Sequence, residues 1–128
     1  GRDDGASVMP LQDGTLPEGM RWHLRLRVHG WSNALFGPEG ASASQEGTPL
    51  TPGAAVRADV GTGSIRLTLP AAALGRLTSL SSAKVYVTTW DYDGGYRALA
   101  QEAQPYGMGG GAAGEAKVMD ASAVIVLP

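Results

Sequence analysis

The sequence contains no cysteine among its 128 residues. Disulfide bonds, thiolate metal sites and cysteine nucleophiles are therefore excluded. Charged side chains make up only 17 % of the chain, and the formal net charge is -2. Because phosphate binding requires a concentrated basic face, nucleic acid is not expected as the partner. No apolar run approaches the length of a membrane span, and no signal peptide with a basic and then an apolar part opens the chain.

The recognisable catalytic motifs are also missing. We find no Gly-x-Ser-x-Gly nucleophile elbow, no phosphate-binding P-loop and no dinucleotide fingerprint. The glycine cluster at 109–111 has no lysine and no helix after it, so it does not fit a phosphate cradle. Nothing brings together a nucleophile, a base and an orienting group. The sequence therefore predicts a protein that is not an enzyme.

The length allows one domain with a real core, and we predict a single domain over residues 1–128. Within it, residues 1–20 form a weakly patterned N-terminal segment and residues 21–128 form the core. The abrupt start at Gly1 indicates a piece processed or excised from a longer chain. Nineteen glycines and eight prolines interrupt the sequence too often for long helices. They favour short strands joined by turns.

The clearest strand pattern begins at residue 22. Apolar Trp22, Leu24, Leu26 and Val28 alternate there with His23, Arg25, Arg27 and His29. The alternation predicts one apolar face, with Trp22 in the core, and one basic face exposed to water. The two histidines are too far apart to bind one metal, and we interpret them as exposed cross-strand partners.

The remaining elements follow from turn residues and short apolar runs. Residues 31–53 and 92–114 read as long loops, the latter containing the glycine cluster. Strands are expected at 54–60 and 64–69, joined as a hairpin through Gly61-Thr62-Gly63. Pro70 to Gly75 fits one helical turn with proline at its start and glycine at its end. With further strands at 85–90 and 123–127, the pattern predicts an all-β fold, an antiparallel β-sandwich with long loops.

Aromatic and charged side chains gather where the strand at 85–90 ends. A ring at such a junction can stack on the apolar face of a sugar while charged neighbours bind its hydroxyl groups. The alternative for Trp90 is that it closes the open end of the sandwich, and Trp31 fits either role. The predicted carbohydrate-binding residues are Trp31, Trp90, Tyr92, Tyr96 and Arg97.

Two pairs of carboxylates are candidate cation ligands. Asp91 and Asp93 are two positions apart, so in a strand they would share a face, and Asp3 with Asp4 forms a second pair. Calcium prefers several oxygen ligands from aspartates and loop carbonyls, which makes it the one cofactor to be considered. The alternatives are turn-forming roles for Asp91 and Asp93 and a solvated terminus for Asp3 and Asp4.

The second half of the chain contains an ordered series of short motifs, Pro70-Ala-Ala-Ala-Leu-Gly75, Trp90-Asp-Tyr-Asp93, Gly95-Tyr-Arg97, Tyr106-Gly-Met-Gly-Gly-Gly111 and Val118-Met-Asp120. This series resembles the C-terminal module of glucodextranase and of related bacterial pullulanase- and amylase-type glycoside hydrolases. The resemblance covers roughly residues 56–128, and the acidic segment Arg2-Asp3-Asp4-Gly5 is similar to the usual opening of the family.

This resemblance implies a β-sandwich of the DOMON-like and family 9 carbohydrate-binding type. It also implies a non-catalytic, secreted or cell-surface bacterial module that binds α-glucan or cell-envelope polysaccharide and is linked to a catalytic domain, with calcium in some relatives. The alternative function is a structural module, such as a filament subunit. The uncharged run Ala123 to Leu127 could support such self-association by completing a neighbour's sheet.

Overall fold

The computed structural model describes residues 3–12, 14–29, 32–75, 77, 79–90 and 118–128. This part of the chain forms antiparallel strands and one turn of 3-10 helix at Ala71–Leu74, with no α-helix. The strands, β1 to β11 in chain order, are Val8–Met9, Gly14–Thr15, Arg25–Val28, Asn33–Gly37, Thr48–Pro49, Ala55–Asp59, Ser64–Thr68, Lys84–Val85, Thr88–Trp90, Val118–Ala121 and Ile125–Val126.

The largest sheet of the described residues has the order β3-β4-β5. Leu26 of β3 lies opposite Leu35 of β4, and Arg25 lies opposite Phe36. Because side chains alternate between faces, Leu35 and Phe36 point to opposite sides of the sheet. They are only 1 % and 5 % exposed, so both faces of this sheet are covered.

The prediction of a loop over 31–53 is therefore wrong where β4 and β5 form. A strand covered on both faces has no polar alternation, and its short apolar run gives no period-two signal. Gly30 and Gly40 lie on either side of Asn33–Gly37, and such turn residues favour the prediction of a loop. Two of the chain's best buried side chains lie in this segment.

The N-terminal segment is also more ordered than its sequence indicates. Strands β1 and β2 pair as a short hairpin, and Met9, Pro10 and Gln12 are buried beside it. Trp22 is 8 % exposed, and its indole Nε1 donates a hydrogen bond of 2.8 Å to the carbonyl of Val8. The prediction that Trp22 belongs to the core is confirmed.

The predicted hairpin after residue 54 is confirmed as β6 and β7. Val56 lies opposite Leu67 and Ala58 opposite Ile65, so these four side chains share one apolar face. The other face carries Arg57 directly opposite Arg66. The predicted helical turn follows as 3-10 helix, beginning after Pro70 and ending at Gly75, whose φ of 63° suits glycine.

The predicted strand at 85–90 is divided in two. Strand β8 pairs with β11, and β9 pairs with β10. Between the two pairs, the backbone of Val87 exchanges hydrogen bonds with Ser122, which donates its N–H at 2.9 Å and accepts through Oγ at 3.0 Å. The closing strand, which was predicted over residues 123–127, covers only Ile125–Val126. The predicted loop at 92–114 lies outside the described residues.

A buried polar contact joins the N-terminal hairpin to the later strands. The side-chain amide of Gln12, 5 % exposed, donates a hydrogen bond of 3.4 Å to the hydroxyl of Thr88 in β9. The architecture is therefore all-β and antiparallel, made of several small sheets, and it fits a β-sandwich-like domain. The predicted fold class is confirmed.

Candidate functional site

Trp90 is the one predicted carbohydrate-binding residue that lies in the described part of the chain. It ends β9, is paired with Val118 of β10, and is half-buried. Its ring centroid lies 6.2 Å from that of His29, with the rings tilted by 55°. The other predicted residues, Trp31, Tyr92, Tyr96 and Arg97, lie outside the described residues.

His29 directly follows β3, on the side of the strand that also carries Arg25 and Arg27. Burial lowers the pKa of His29 below its ordinary value of 6.5, and the positive charges of Arg27 and then Arg25 lower it further. The neutral imidazole is therefore favoured beside Trp90. The lowered pKa and the ring contact therefore occur at the same histidine.

The two arginines form a compact cluster with Glu46 and Phe36. One Glu46 carboxylate oxygen contacts Nη1 of Arg25 and the other contacts Nη1 of Arg27. Their guanidinium carbons lie 5.9 Å and 5.5 Å from the centroid of the Phe36 ring, within the range of cation–π attraction. The Arg25, Arg27 and Glu46 side chains are 13 %, 22 % and 15 % exposed.

The prediction of a basic face open to water is therefore wrong. Arg25 and Arg27 cover Phe36 instead of standing in solvent, because their long aliphatic stems can bury apolar surface while Glu46 neutralises part of their charge. The histidines were expected to be exposed cross-strand partners, but both are half-buried, and only His23 meets a residue beside a segment paired with its own, since Ala6 pairs with Trp22. His29 contacts Trp90, and His23 Nε2 lies 3.3 Å from Oδ1 of Asp4.

The acidic residues give no complete cation site in the described part of the chain. Asp3 is exposed, and the Asp4 side chain is 60 % exposed beside His23. Over the described ranges, no three His, Cys, Asp or Glu side chains come close enough together to hold a metal ion. Asp91 and Asp93 lie outside these ranges. Calcium binding stays a prediction.

Glu46, Phe36 and Gln12 were missed by sequence reasoning. The first two lie in the segment that reads as loop, and Gln12 lies in the weakly patterned N-terminal segment. Strand pairing brings the Glu46 carboxylate and the Phe36 ring to the arginines. Because these residues are far from the arginines along the chain, no short motif in the sequence predicts the contacts. The pair Leu35-Phe36 was the one available sign of a buried strand.

Comparison with known proteins now decides the family. Residues 12–127 match the family model described as the C-terminal binding module, S-layer-homology-like, of glucodextranase. The chain belongs to this family. The match extends further towards the N-terminus than the motifs of residues 56–128, so it includes the sheet of β3, β4 and β5. No curated protein and no solved structure gives a significant match.

The glucodextranase C-terminal module family is a family of binding modules rather than catalytic domains. This chain is accordingly a binding accessory module of that family. In the described part of the chain, no helix has the length and apolar character needed to cross a bilayer.

Proposed function

We propose that this module binds α-glucan or cell-envelope polysaccharide and attaches a linked, secreted glycoside hydrolase to its substrate or to the bacterial cell surface. The family match to a binding module of glucodextranase carries the proposal. The arrangement around Trp90 supports it and supplies a residue on which it can be tested.

Trp90 has the properties of a sugar-stacking residue. Its indole lies at the end of a strand, where backbone pairing with Val118 fixes its position. The ring is half-buried, so it contacts His29 and still presents surface to a ligand. Tryptophan combines a large apolar face with an N–H donor, which matches the alternation of C–H and hydroxyl groups on a sugar ring.

The arginine cluster supports this site indirectly. Arg25 and Arg27 are engaged by Glu46 and lie over Phe36, so we assign them to holding β3 and β4 in position. His29 follows β3, and its place under Trp90 depends on that sheet. Stacking surfaces bind better when the protein fixes them before the ligand arrives.

The test is affinity electrophoresis in native gels cast with soluble starch, pullulan or dextran. We expect the wild-type module to be retarded by at least one polymer, and Trp90→Ala to weaken binding about tenfold through loss of stacking area. Tyr86→Ala is the matched control, because it removes another half-buried aromatic ring, one that is not among the predicted carbohydrate-binding residues. Unchanged mobility in all three gels, together with no pulldown on cell-wall material, would remove the proposal.

Calcium is proposed as a stabilising ligand of the same module. Asp3, Asp4, Asp91 and Asp93 would supply carboxylate oxygens, together with loop carbonyls. A cation that binds only the folded state raises the melting temperature by mass action. Millimolar calcium added after chelation should therefore raise the melting temperature, and Asp3→Asn with Asp4→Asn should reduce the shift. Identical melting curves with and without calcium would contradict this part.

A second candidate function is self-association through the last strand, as in a filament subunit. Strand β11 pairs with β8 of the same chain, and its Ile125 and Val126 side chains are 49 % and 58 % exposed. Among the described strands β11 and β8 pair only with each other, and a two-stranded pair of this kind has edges suited to strand addition. Light scattering after size-exclusion chromatography should then show polymers that Val126→Lys disperses. A folded monomer at every concentration would end this alternative.

A further inference from the structure

An open groove lies on the N-terminal hairpin, and none of its lining residues belongs to the arginine cluster. Its cavity volume is about 320 Å³, at the lower end of the range for small-molecule sites. Its lining includes Ser7, Thr15, Pro17, Glu18, Met20 and Arg21. The groove combines two hydroxyl groups, one carboxylate, one guanidinium and an apolar side.

Backbone hydrogen bonds fix the walls of the groove. Ser7 lies between two anchored residues, since Ala6 exchanges two backbone hydrogen bonds of 3.0 Å with Trp22, and Val8 pairs with Thr15. The opposite wall is a tight turn in which the N–H of Met20 donates to the carbonyl of Pro17 at 2.9 Å. The lining residues are thereby held in place without a ligand.

The polar groups of this groove are available for binding. Within the described part of the chain, the side chains of Ser7, Thr15 and Glu18 make no hydrogen bond or ion pair, and all three are exposed. Arg21 donates one hydrogen bond of 3.0 Å from Nη1 to the carbonyl of Gly5, which positions the guanidinium and leaves its other donors free. Hydroxyl groups both donate and accept, carboxylate only accepts, and guanidinium only donates.

This mixture fits a neutral ligand that carries many hydroxyl groups. A sugar ring offers donors to Glu18, acceptors to Arg21 and both to Ser7 and Thr15, while its C–H face can lie on Pro17 and Met20. A simple anion or cation would meet a group of its own sign, because the opposite charges of Glu18 and Arg21 share the groove.

We propose that this groove is a second carbohydrate subsite, one that binds a glucose unit of an oligosaccharide through Glu18, Arg21 and the two hydroxyl groups. The inference rests on the proposed function and deepens it. Gln12 of the same hairpin donates a hydrogen bond to Thr88, and a Cβ added at Gly14 would lie 3.5 Å from Cγ2 of Val118, so the groove belongs to the element that lies beside the strand carrying Trp90. Two subsites on one polymer would raise the avidity above that of either alone.

The experiment is a titration of the ¹⁵N-labelled chain with maltotriose and isomaltotriose, followed by amide and indole NMR shifts. We expect shifts at the Thr15 and Met20 amides as well as at the Trp90 indole. Glu18→Gln should weaken the binding reported by the groove amides about tenfold, because a hydrogen bond to a charged acceptor becomes one to a neutral acceptor. Glu39→Gln is the matched control, since it changes another exposed glutamate outside the groove.

The outcomes separate the two proposals. Shifts at Trp90 with none at the groove would overturn the second subsite and leave the proposed function standing. If the groove amides report the same affinity for Glu18→Gln as for the Glu39→Gln control, the assignment of Glu18 to the subsite is also overturned. Shifts at the groove alone would support the subsite and count against Trp90. Absence of shifts at both places, with no retardation by the polymers, would overturn both proposals.

Discussion

Two regions of the molecule differ in how they bury apolar side chains. The N-terminal region comprises the described residues of 3–54, and the C-terminal region comprises those of 55–90 and 118–128. Every buried apolar side chain of the described residues lies in the former: Met9, Pro10, Trp22, Leu35, Phe36 and Ala54. Ten of the eleven large exposed apolar side chains lie in the latter, the exception being Val28. Alternation along strands is present in both regions, so it does not by itself produce a core.

The number of packed layers explains the difference. In the N-terminal region, a three-stranded sheet has both faces covered, one by apolar side chains and one by the arginine cluster. In the C-terminal region, the described strands form three separate pairs, and a two-stranded sheet contributes little burial of its own. On the β6–β7 hairpin, Ile65 is 67 % and Leu67 49 % exposed although they share the apolar face.

The largest expected effect is a methyl group added to Gly47. Its φ of 103° disfavours any side chain, and a Cβ there would overlap the carbonyl oxygen of Gly37 and lie 3.2 Å from the Trp22 ring. We expect Gly47→Ala to lower the free energy of unfolding by more than about 3 kcal/mol. Gly63→Ala is the control, because φ is 62° but the space is open, and about 1 kcal/mol is expected. Urea unfolding measures both, and equal losses would contradict the contrast between the regions.

Truncation of apolar side chains compares the regions directly. Leu35→Ala should cost about 3 kcal/mol, since the side chain is 1 % exposed and its loss leaves a cavity. Ile65→Ala removes a similar side chain from the exposed hairpin face and should change the free energy of unfolding by no more than about 0.5 kcal/mol. A loss for Ile65→Ala that approaches the loss for Leu35→Ala would show that the apolar hairpin face is covered in solution.

The arginine cluster is expected to contribute less than Leu35. Glu46→Gln removes the charge that faces Arg25 and Arg27 while keeping the shape of the side chain. We expect a loss of about 2 kcal/mol, because two guanidinium groups that are mostly buried lose their charged acceptor. Glu39→Gln, at an exposed turn, should change the stability by no more than about 0.5 kcal/mol. Equal values for the two variants would show that the cluster adds no stability.

The smallest expected effect is a pH dependence where the two regions meet at His29 and Trp90. Because the pKa of His29 is lowered in the folded state, the unfolded chain binds the proton more tightly. The stability from this group is complete above pH 6.5 and is lost as the pH falls through the folded pKa. His29→Gln should flatten that part of the stability curve. An NMR titration that places the pKa of His29 at or above 6.5 would contradict the prediction.

The sequence predicted those elements that depend on residues close together along the chain. The β6–β7 hairpin followed from two alternating runs around a glycine-rich turn, and the 3-10 turn followed from Pro70 and Gly75. Trp22 was placed in the core by its alternation with leucines. The strand β4 was missed, because a segment that is buried on both faces and bounded by turn glycines has no alternating pattern.

The candidate site was predictable only in part. Trp90 at the end of a strand was visible in the sequence, whereas its contact with His29 joins residues 61 positions apart and has no local signal. Thr15, which lines the proposed groove, and its neighbour Gly14 were read as part of a weakly patterned segment. Their strand forms through pairing with Val8 and Met9.

The sequence by itself determined the all-β class, the β6–β7 hairpin with its strong turn signal, the absence of cysteine chemistry and the likeness to the glucodextranase module family. These properties depend on composition and on residues a few positions apart. Only the tertiary structure decided that Arg25 and Arg27 lie over Phe36 and share Glu46, and that His29 lies beside Trp90 with its pKa lowered. Such contacts depend on strand pairing and burial, which set the surroundings of a charge and which no local pattern specifies.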